Sequence, residues 1–323
     1  VEWEVSVDNR LIILTGPTAV GKTGLSIRLA KAVGGEIISA DSMQVYKGMD
    51  IGTAKIRPDE MDGVRHYLID ELEPTQEFNV NIFKCLAKAA IKKIQDNGNL
   101  PIIVGGTGFY IQAVLYDIDF EETAAKQKDG DDYRRYLQGI ATAWDGSERL
   151  YQMLRQVDPA SCGTIHQNNV KRVIRALEFY HDTGKPISLH NQEQRQKTSP
   201  YDYHYYVLND HRDRLYDRIN RRVDEMLQDG LLDEVRRLKA SGLDKSLVSM
   251  QGIGYKEMLA YLDGECGLDD AVDLIKQNSR HYAKRQITWF KRERSVEWVN
   301  LWEYGYDMDA ILGHMVRNEV YGE

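Results

Sequence analysis

The sequence, 323 residues long, predicts an α/β fold: a parallel β-sheet flanked by helices, with an all-helical domain inserted into it. Three observations predict it. Short apolar runs alternate with stretches of helical periodicity. The runs are apolar throughout rather than alternating, as strands buried on both faces are. The texture then changes near Asp117, and from there to about Lys197 no convincing strand appears.

The elements follow in chain order. Leu11-Ile12-Ile13-Leu14 reads as a strand, followed by a Gly-rich turn and a helix through Leu25, Leu29 and Ala32. Glu36 to Ala40 reads as a second strand. A helix is expected over Phe83 to Gln95, closed by Asn97-Gly98. Pro101-Ile102-Ile103-Val104 reads as a third strand, ended by Gly105-Gly106. Ser147 to Val157 is a helix stopped by Asp158-Pro159. Asn169 is a candidate N-cap for a helix running to about Asp182 and stopped by Thr183-Gly184. Tyr205 to Leu208 resumes the strands. Leu215, Ile219, Val223 and Met226 then form the core stripe of a long helix, which Gly230 breaks; Ser241-Gly242 ends the next. The catalytic core is expected over 1–117 and 198–323, and the helical insertion over 118–197.

Composition sets limits. Hydrophobic residues are 42% and charged residues 28%, enough to bury a core and stay soluble. No apolar run approaches the roughly 18 residues of a membrane span. Val1 to Arg10 carries acids and lacks the basic-then-apolar form of a signal peptide. Cys85, Cys162 and Cys266 stand singly, which suggests neither a disulfide framework nor a zinc site, and fits a reducing cytoplasm. The net charge of −8 by itself argues against a nucleic-acid partner, but the charge is unevenly distributed.

Gly16-Pro17-Thr18-Ala19-Val20-Gly21-Lys22-Thr23 matches GxxxxGK[ST] between a strand and a helix, the context that a P-loop requires. Its backbone N–H groups wrap an anion, and the helix start adds partial positive charge. Lys22 supplies a point charge, and the Thr23 hydroxyl is a candidate Mg²⁺ ligand. The fold is therefore P-loop NTPase-like. The motif specifies phosphate binding and not ATP hydrolysis.

Nucleotide hydrolases of this class commonly end a later strand with an acid that holds Mg²⁺. Here that strand ends in Gly105-Gly106-Thr107-Gly108. The carboxylate comes earlier, at Asp41, after the second strand. Carboxyl ends of parallel strands face the ligand crevice, so Asp41 is expected near the P-loop, placed to accept a proton or position an acceptor. An ordinary turn-capping Asp is an equal reading. Thr107, between glycines, suits hydrogen bonding to a base or phosphate, or is incidental to a tight turn.

Arg214, Arg218 and Arg222 recur every fourth residue beside their helix's apolar stripe. Lys276, Arg280 and Lys284 repeat the spacing. From Lys276 to Arg294 seven positive residues face one acid, interleaved with His281, Tyr282, Trp289 and Phe290. A solvated helix face is the common fate of such charges; a site for pyrophosphate or RNA phosphate, with aromatics stacking on bases, is the sharper reading. Gln167-Asn168-Asn169-Val170-Lys171-Arg172 joins amides and positive charge at a helix start, which suits either a capped surface helix or contact with RNA.

Together these blocks resemble one family. The P-loop, Asp41-Ser42-Met43-Gln44 continuing to Lys55, Gly105 to Tyr110, Val173 to Glu178, Gly252 to Glu257, and Tyr282 to Trp289 look like the bacterial type of tRNA dimethylallyltransferase, in order over about residues 11 to 300. The resemblance implies transfer of a dimethylallyl group from dimethylallyl diphosphate to N6 of adenosine 37 in tRNA. It implies a general base at Asp41, an adenine-orienting group at Thr107, diphosphate handling at Arg218, and a P-loop from Gly16 to Thr23 that cradles pyrophosphate. It implies tRNA contacts at Asp41, Ser42, Met43, Gln44 and Thr107, at Gln167, Asn168, Asn169, Val170 and Lys171, and at Gln251, Gly252, Ile253, Gly254, Tyr255 and Lys256. It implies further contacts at Lys284, Arg285, Gln286, Ile287, Thr288, Trp289, Phe290 and Lys291. The insertion resembles the helical domain that grips the anticodon stem-loop. The expected partners are tRNA and dimethylallyl diphosphate with Mg²⁺, no membrane, and a monomeric, cytoplasmic enzyme.

Some residues depart from the family pattern. Val20 stands where Ser is common, and His166 to Asn169 differs from the commoner Asp-containing version. The zinc-finger extension of eukaryotic relatives is not expected. Two competing classes remain: a small-molecule P-loop kinase, and an RNA-binding nucleotide switch without group transfer.

Overall fold

A computed structural model describes residues 9–119 and 127–321. The targeting-signal reading of the first residues falls, as far as Asp8, outside the described residues. Six parallel strands form one sheet: β1 (Arg10–Thr15), β2 (Gly35–Ala40), β3 (His66–Tyr67), β4 (Leu100–Gly105), β5 (Asp202–Asn209) and β6 (Glu297–Asn300). Their order is β3-β2-β4-β1-β5-β6. β1 lies between β4 and β5, with Leu14 opposite Val104 and Tyr206. Helix α1 (Lys22–Val33) leaves the P-loop, α2 (Val80–Asp96) precedes β4, and α3 (Gly108–Leu115) follows it.

Four helices come next: α4 (Gln127–Ala141), α5 (Gly146–Val157), α6 (Val170–Thr183) and α7 (Ile187–Gln196). After β5 come α8 (Arg212–Gln228), α9 (Leu231–Ala240), α10 (Tyr255–Leu262) and α11 (Leu268–Phe290), with α12 (Met308–Tyr321) last. The chain divides into two compact units, one of them Leu115–Pro200 and the other everything before and after it.

Each unit has its own core. In the sheet unit Ile12, Leu14, Ile37 and Ile102 pack with Leu25 and Leu29 of α1 and Leu215 and Ile219 of α8. In the helical unit Leu137, Leu150, Leu154, Val173 and Leu177 cluster together. Burying such a side chain contributes about 1.5–3 kcal/mol, so each stripe settles which face of its helix turns inward.

Local sequence explains most boundaries and corrects a few. α2 begins before Phe83 because the Asn79 side chain accepts from the N–H groups of Asn81 and Ile82, both at 3.0 Å. Asn169 does precede α6, but its side chain makes no capping hydrogen bond. The Asn169 carbonyl instead accepts from Arg172 and Val173. The α8 stripe is buried at Leu215, Ile219 and Val223, with Met226 half-buried. Strands β3 and β6 were not anticipated. Two and four residues are too few to show a period, and both lie at the sheet edges where pairing, not sequence pattern, defines them.

Among the described residues no helix is long and apolar enough to cross a membrane. Cys85, Cys162 and Cys266 are free.

Candidate active site

The carboxyl ends of β1, β2 and β4 open onto one cavity of about 1000 Å³. Thr18, Lys22 and Thr23 of the P-loop line it, with Asp41 and Gln44 after β2 and Gly105 and Gly106 after β4. Helix α8 adds Arg214, Arg218, Arg221 and Arg222, and α11 adds Tyr282 and Gln286. The fourfold spacing of arginines thus turns one face of α8 toward the phosphate-binding turn.

The P-loop backbone is held from several sides. Gly16 has φ 145°, and a Cβ there would meet the Leu208 carbonyl at 2.5 Å, so only glycine fits against β5. Val20 is fully buried in the sheet core, which accounts for an apolar residue at that position. Its N–H donates to the Pro17 carbonyl at 3.4 Å. The Thr18 N–H donates to Gln286 Oε1 at 2.8 Å, and Gln286 Nε2 donates to the Gly106 carbonyl at 2.9 Å. Two loop N–H groups are therefore engaged within the protein. The first-turn N–H groups of α1 have no intrahelical partners and provide the anion-binding end of the helix.

Lys22 Nζ donates to the carbonyls of Gly16 and Pro17, at 2.9 and 2.8 Å. Burial, reinforced by the Arg222 guanidinium and opposed by the Asp41 carboxylate, lowers Lys22 to about 7. Arg222 Nη1 approaches Thr18 Oγ1 at 3.4 Å. Burial also lowers Arg222 and Arg218 from their ordinary values. An arginine stays charged regardless, so a half-buried cluster of cations suits a polyanion.

Asp41 Oδ1 accepts from the Met43 N–H at 2.9 Å, which fixes the turn after β2. Gln44 is held by Ser39 Oγ at 3.0 Å and reaches the carbonyls of Thr53 and Ala54. Thr107 sits beside this wall, one residue beyond the cavity-lining Gly106, and its Oγ1 is buried without a hydrogen-bond partner. Asp41, Thr107 and Arg218, expected to act together, come from three separate segments to one region of the sheet edge.

Gln251 to Lys256 runs through the turn before α10 and into the first two residues of that helix. A Cβ on Gly252 would meet Met43 Cε at 2.8 Å, so this segment abuts Asp41 to Gln44. On α11, Lys284, Arg285 and Thr288 are exposed, with Lys291 just beyond, while Gln286 and Phe290 are buried. Tyr255 is also fully buried. Gln286 lines the cavity, whereas Phe290 and Tyr255 lie in the interior. Lys276 and Arg280 are tied to α8, through Asp224 and Asn220 at 2.6 Å each. Gln167 to Lys171 lies in the helical unit, where Lys171, Arg172 and Arg175 are exposed.

One residue escaped the sequence reading. Glu234 of α9, 1% exposed, accepts from the N–H groups of Asp50, Ile51 and Gly52 at 3.0, 2.9 and 3.1 Å. The signal for it is an acid in an apolar stripe, with Leu231, Val235 and Leu238 around it.

The IPP transferase family model matches residues 44–293. The chain belongs to the IPP transferase family. A relative in that family, the tRNA dimethylallyltransferase of Lachnoclostridium phytofermentans, is 58% identical over 307 residues, 95% of this chain and 96% of its own. That of Geobacillus thermodenitrificans is 52% identical over 90% of each chain. Among solved structures, the full-length tRNA isopentenylpyrophosphate transferase of Bacillus halodurans aligns with TM-score 0.72 and 44% identity, over 98% of this chain and 96% of that one. A eukaryotic dimethylallyltransferase acting on tRNA aligns with TM-score 0.77 and 31% identity, over 91% and 74%. The P-loop and Asp41 lie just ahead of the matched region, and the shared cavity joins them to it.

Proposed function

We propose that the chain transfers a dimethylallyl group from dimethylallyl diphosphate to N6 of adenosine 37 in tRNA and releases diphosphate. The observation that carries this is the shared cavity. A P-loop lysine, a row of arginines and the Asp41 carboxylate converge there, with Asp217 and Glu225 of α8 also lining the cavity, while the strand end beside the P-loop supplies glycine in place of a hydrolytic acid.

The allylic diphosphate leaves as a polyanion, and its developing charge is what the site stabilises. Lys22, Arg218, Arg222 and the first-turn N–H groups of α1 bind it. Asp41 accepts the amine proton as the new C–N bond forms. Thr107 orients the base. An adenine within a stacked loop is out of reach, so it enters the cavity flipped out. Exposed Lys171, Arg172 and Arg175 suit the helical unit to the anticodon stem-loop, and exposed Lys284, Arg285 and Lys291 suit α11 to RNA phosphate.

The donor set fits Mg²⁺ held largely by substrate. Thr23 offers a hydroxyl at the cavity, and among the described residues no cluster of three carboxylate, histidine or cysteine ligands exists. Bound there, Mg²⁺ neutralises charge on the leaving diphosphate. We read the chain as a monomer in a reducing cytoplasm, which the free cysteines suit.

The test is to incubate the protein, Mg²⁺ and dimethylallyl diphosphate with an unmodified anticodon stem-loop, then digest and weigh the nucleosides. One added dimethylallyl group on adenosine, absent when position 37 is guanosine, is the expected result. No mass change, together with phosphate transfer from ATP to a small alcohol or nucleoside, would sink the reading in favour of a kinase.

A further inference from the structure

Tyr282 lines the cavity together with Asp41, Gly106 and Gln286. Its hydroxyl lies against Thr107 and Gln286, within the field of the Asp41 carboxylate. It is not a contact that the resemblance names.

Three polar groups surround this corner. Asp41 is an acceptor whose Oδ1 is already taken by Met43. Thr107 Oγ1 is buried with the Tyr282 hydroxyl against it but no well-formed hydrogen bond, an arrangement that a protein interior tolerates where a ligand atom completes it. Tyr282 is the third. Its ring is fixed by neighbours on α11: Arg285 stacks over it at 5.7 Å, and Ala283 on one side and Gln286 beyond are buried. A phenol has one proton to give.

Adenine presents an exocyclic amine at C6 with a ring-nitrogen acceptor on either side of it. A carboxylate reads the amine. A neutral hydroxyl reads the acceptor beside it. Guanine reverses the first pattern by placing a carbonyl at C6, which Asp41 repels. We propose that Tyr282 is a specificity-determining residue that donates its phenolic proton to a ring nitrogen flanking the amine of the acceptor adenine, with Asp41 on the amine itself. The proposal rests on the prenyl-transfer reading above. Burial, with the Asp41 charge beside it, raises the phenol to about 12, so the proton is in place at neutral pH.

The experiment uses the full chain and three anticodon stem-loops, carrying adenosine, 1-deazaadenosine or 7-deazaadenosine at position 37. Each is assayed with the native enzyme and with Tyr282→Phe, which keeps the ring and removes only the hydroxyl. The native enzyme should lose about tenfold or more in kcat/KM on one analogue. Tyr282→Phe should lose a similar factor on adenosine and then show no further loss on that analogue. The KM for dimethylallyl diphosphate should stay the same. The electronic effect of the missing nitrogen is common to both enzymes and cancels in the ratio. If Tyr282→Phe lowers all three substrates by one common factor, the hydroxyl only supports the wall and the proposal is overturned. Activity equal to native on adenosine overturns it too. A native enzyme that modifies no stem-loop at all fails earlier, at the reading of the reaction, and removes both.

Discussion

The Tyr255 hydroxyl donates a 2.6 Å hydrogen bond to Glu234, and both residues are buried. With the N–H groups of Asp50, Ile51 and Gly52, four donors converge on one carboxylate. The Tyr255 ring fills the space that a Cβ on Gly52 would need, 2.6 Å away. This clamp fixes the turn that leads into Thr53 and Ala54 of the cavity wall.

Glu234→Ala leaves those donors, one buried and three partly buried, without an acceptor. Each unmet group costs about 1–3 kcal/mol, so denaturant unfolding should show a loss of about 3 kcal/mol or more, with Glu234→Gln intermediate. An unchanged unfolding midpoint in Glu234→Ala would mean the turn holds itself.

Lys22 is lowered from an ordinary 10.5 to about 7. The unfolded chain therefore holds that proton more tightly. Lys22 opposes folding below pH 7, and the penalty is relieved as pH rises from 7 toward the unfolded value. A bound diphosphate favours the ammonium, so binding near pH 8 should take up a proton. Calorimetry in two buffers of unlike ionisation enthalpy should give different heats, and Lys22→Met should abolish the difference. Equal heats for the native enzyme contradict the assignment.

Arg222 is the second cause of that low value. Arg222→Leu should raise Lys22 and shrink the proton uptake at pH 8. It should also raise the KM for dimethylallyl diphosphate by about tenfold or more, the worth of one charge-assisted hydrogen bond. Arg222→Lys should fall between, keeping charge without the planar fork. A KM unmoved by Arg222→Leu would place the guanidinium outside the diphosphate site.

Asp41→Asn keeps the shape of the turn and removes the base. Turnover should fall by about 10²–10⁴, while tRNA affinity measured by filter binding changes little. Parallel loss of both would make Asp41 a binding residue.

Gly106→Ala puts a methyl group 2.0 Å from Gln286 Nε2. Overpacking of this kind costs about 1–3 kcal/mol, and displacing Gln286 releases the Thr18 N–H. Activity and melting temperature should both drop. Adding Gln286→Ala makes room for the methyl, so the double variant should melt higher than the sum of the single effects allows. Strict additivity would falsify the clip.

The order of elements was legible in the sequence because each is a local matter. Leu11 to Leu14 and Pro101 to Val104 are too continuously apolar for anything but buried parallel strands. Gly21, Gly184 and Gly230 take positive φ at the helix boundaries where the sequence placed them. The P-loop was legible for the same reason, since its chemistry lies within eight consecutive residues. What the tertiary structure decided depends on contacts between distant segments. Gln286 reaches Thr18 across 268 positions of sequence. Glu234 meets Asp50 across 184. No period or propensity encodes such a pair, because the energy that joins them appears only once the sheet has brought both ends together. The same holds for α11, whose basic and aromatic run looked uniform in sequence. Helical geometry turned Lys284 and Arg285 outward and Gln286 and Phe290 inward, and only packing against the P-loop, the turn after β4, α8 and α10 settled which face was which.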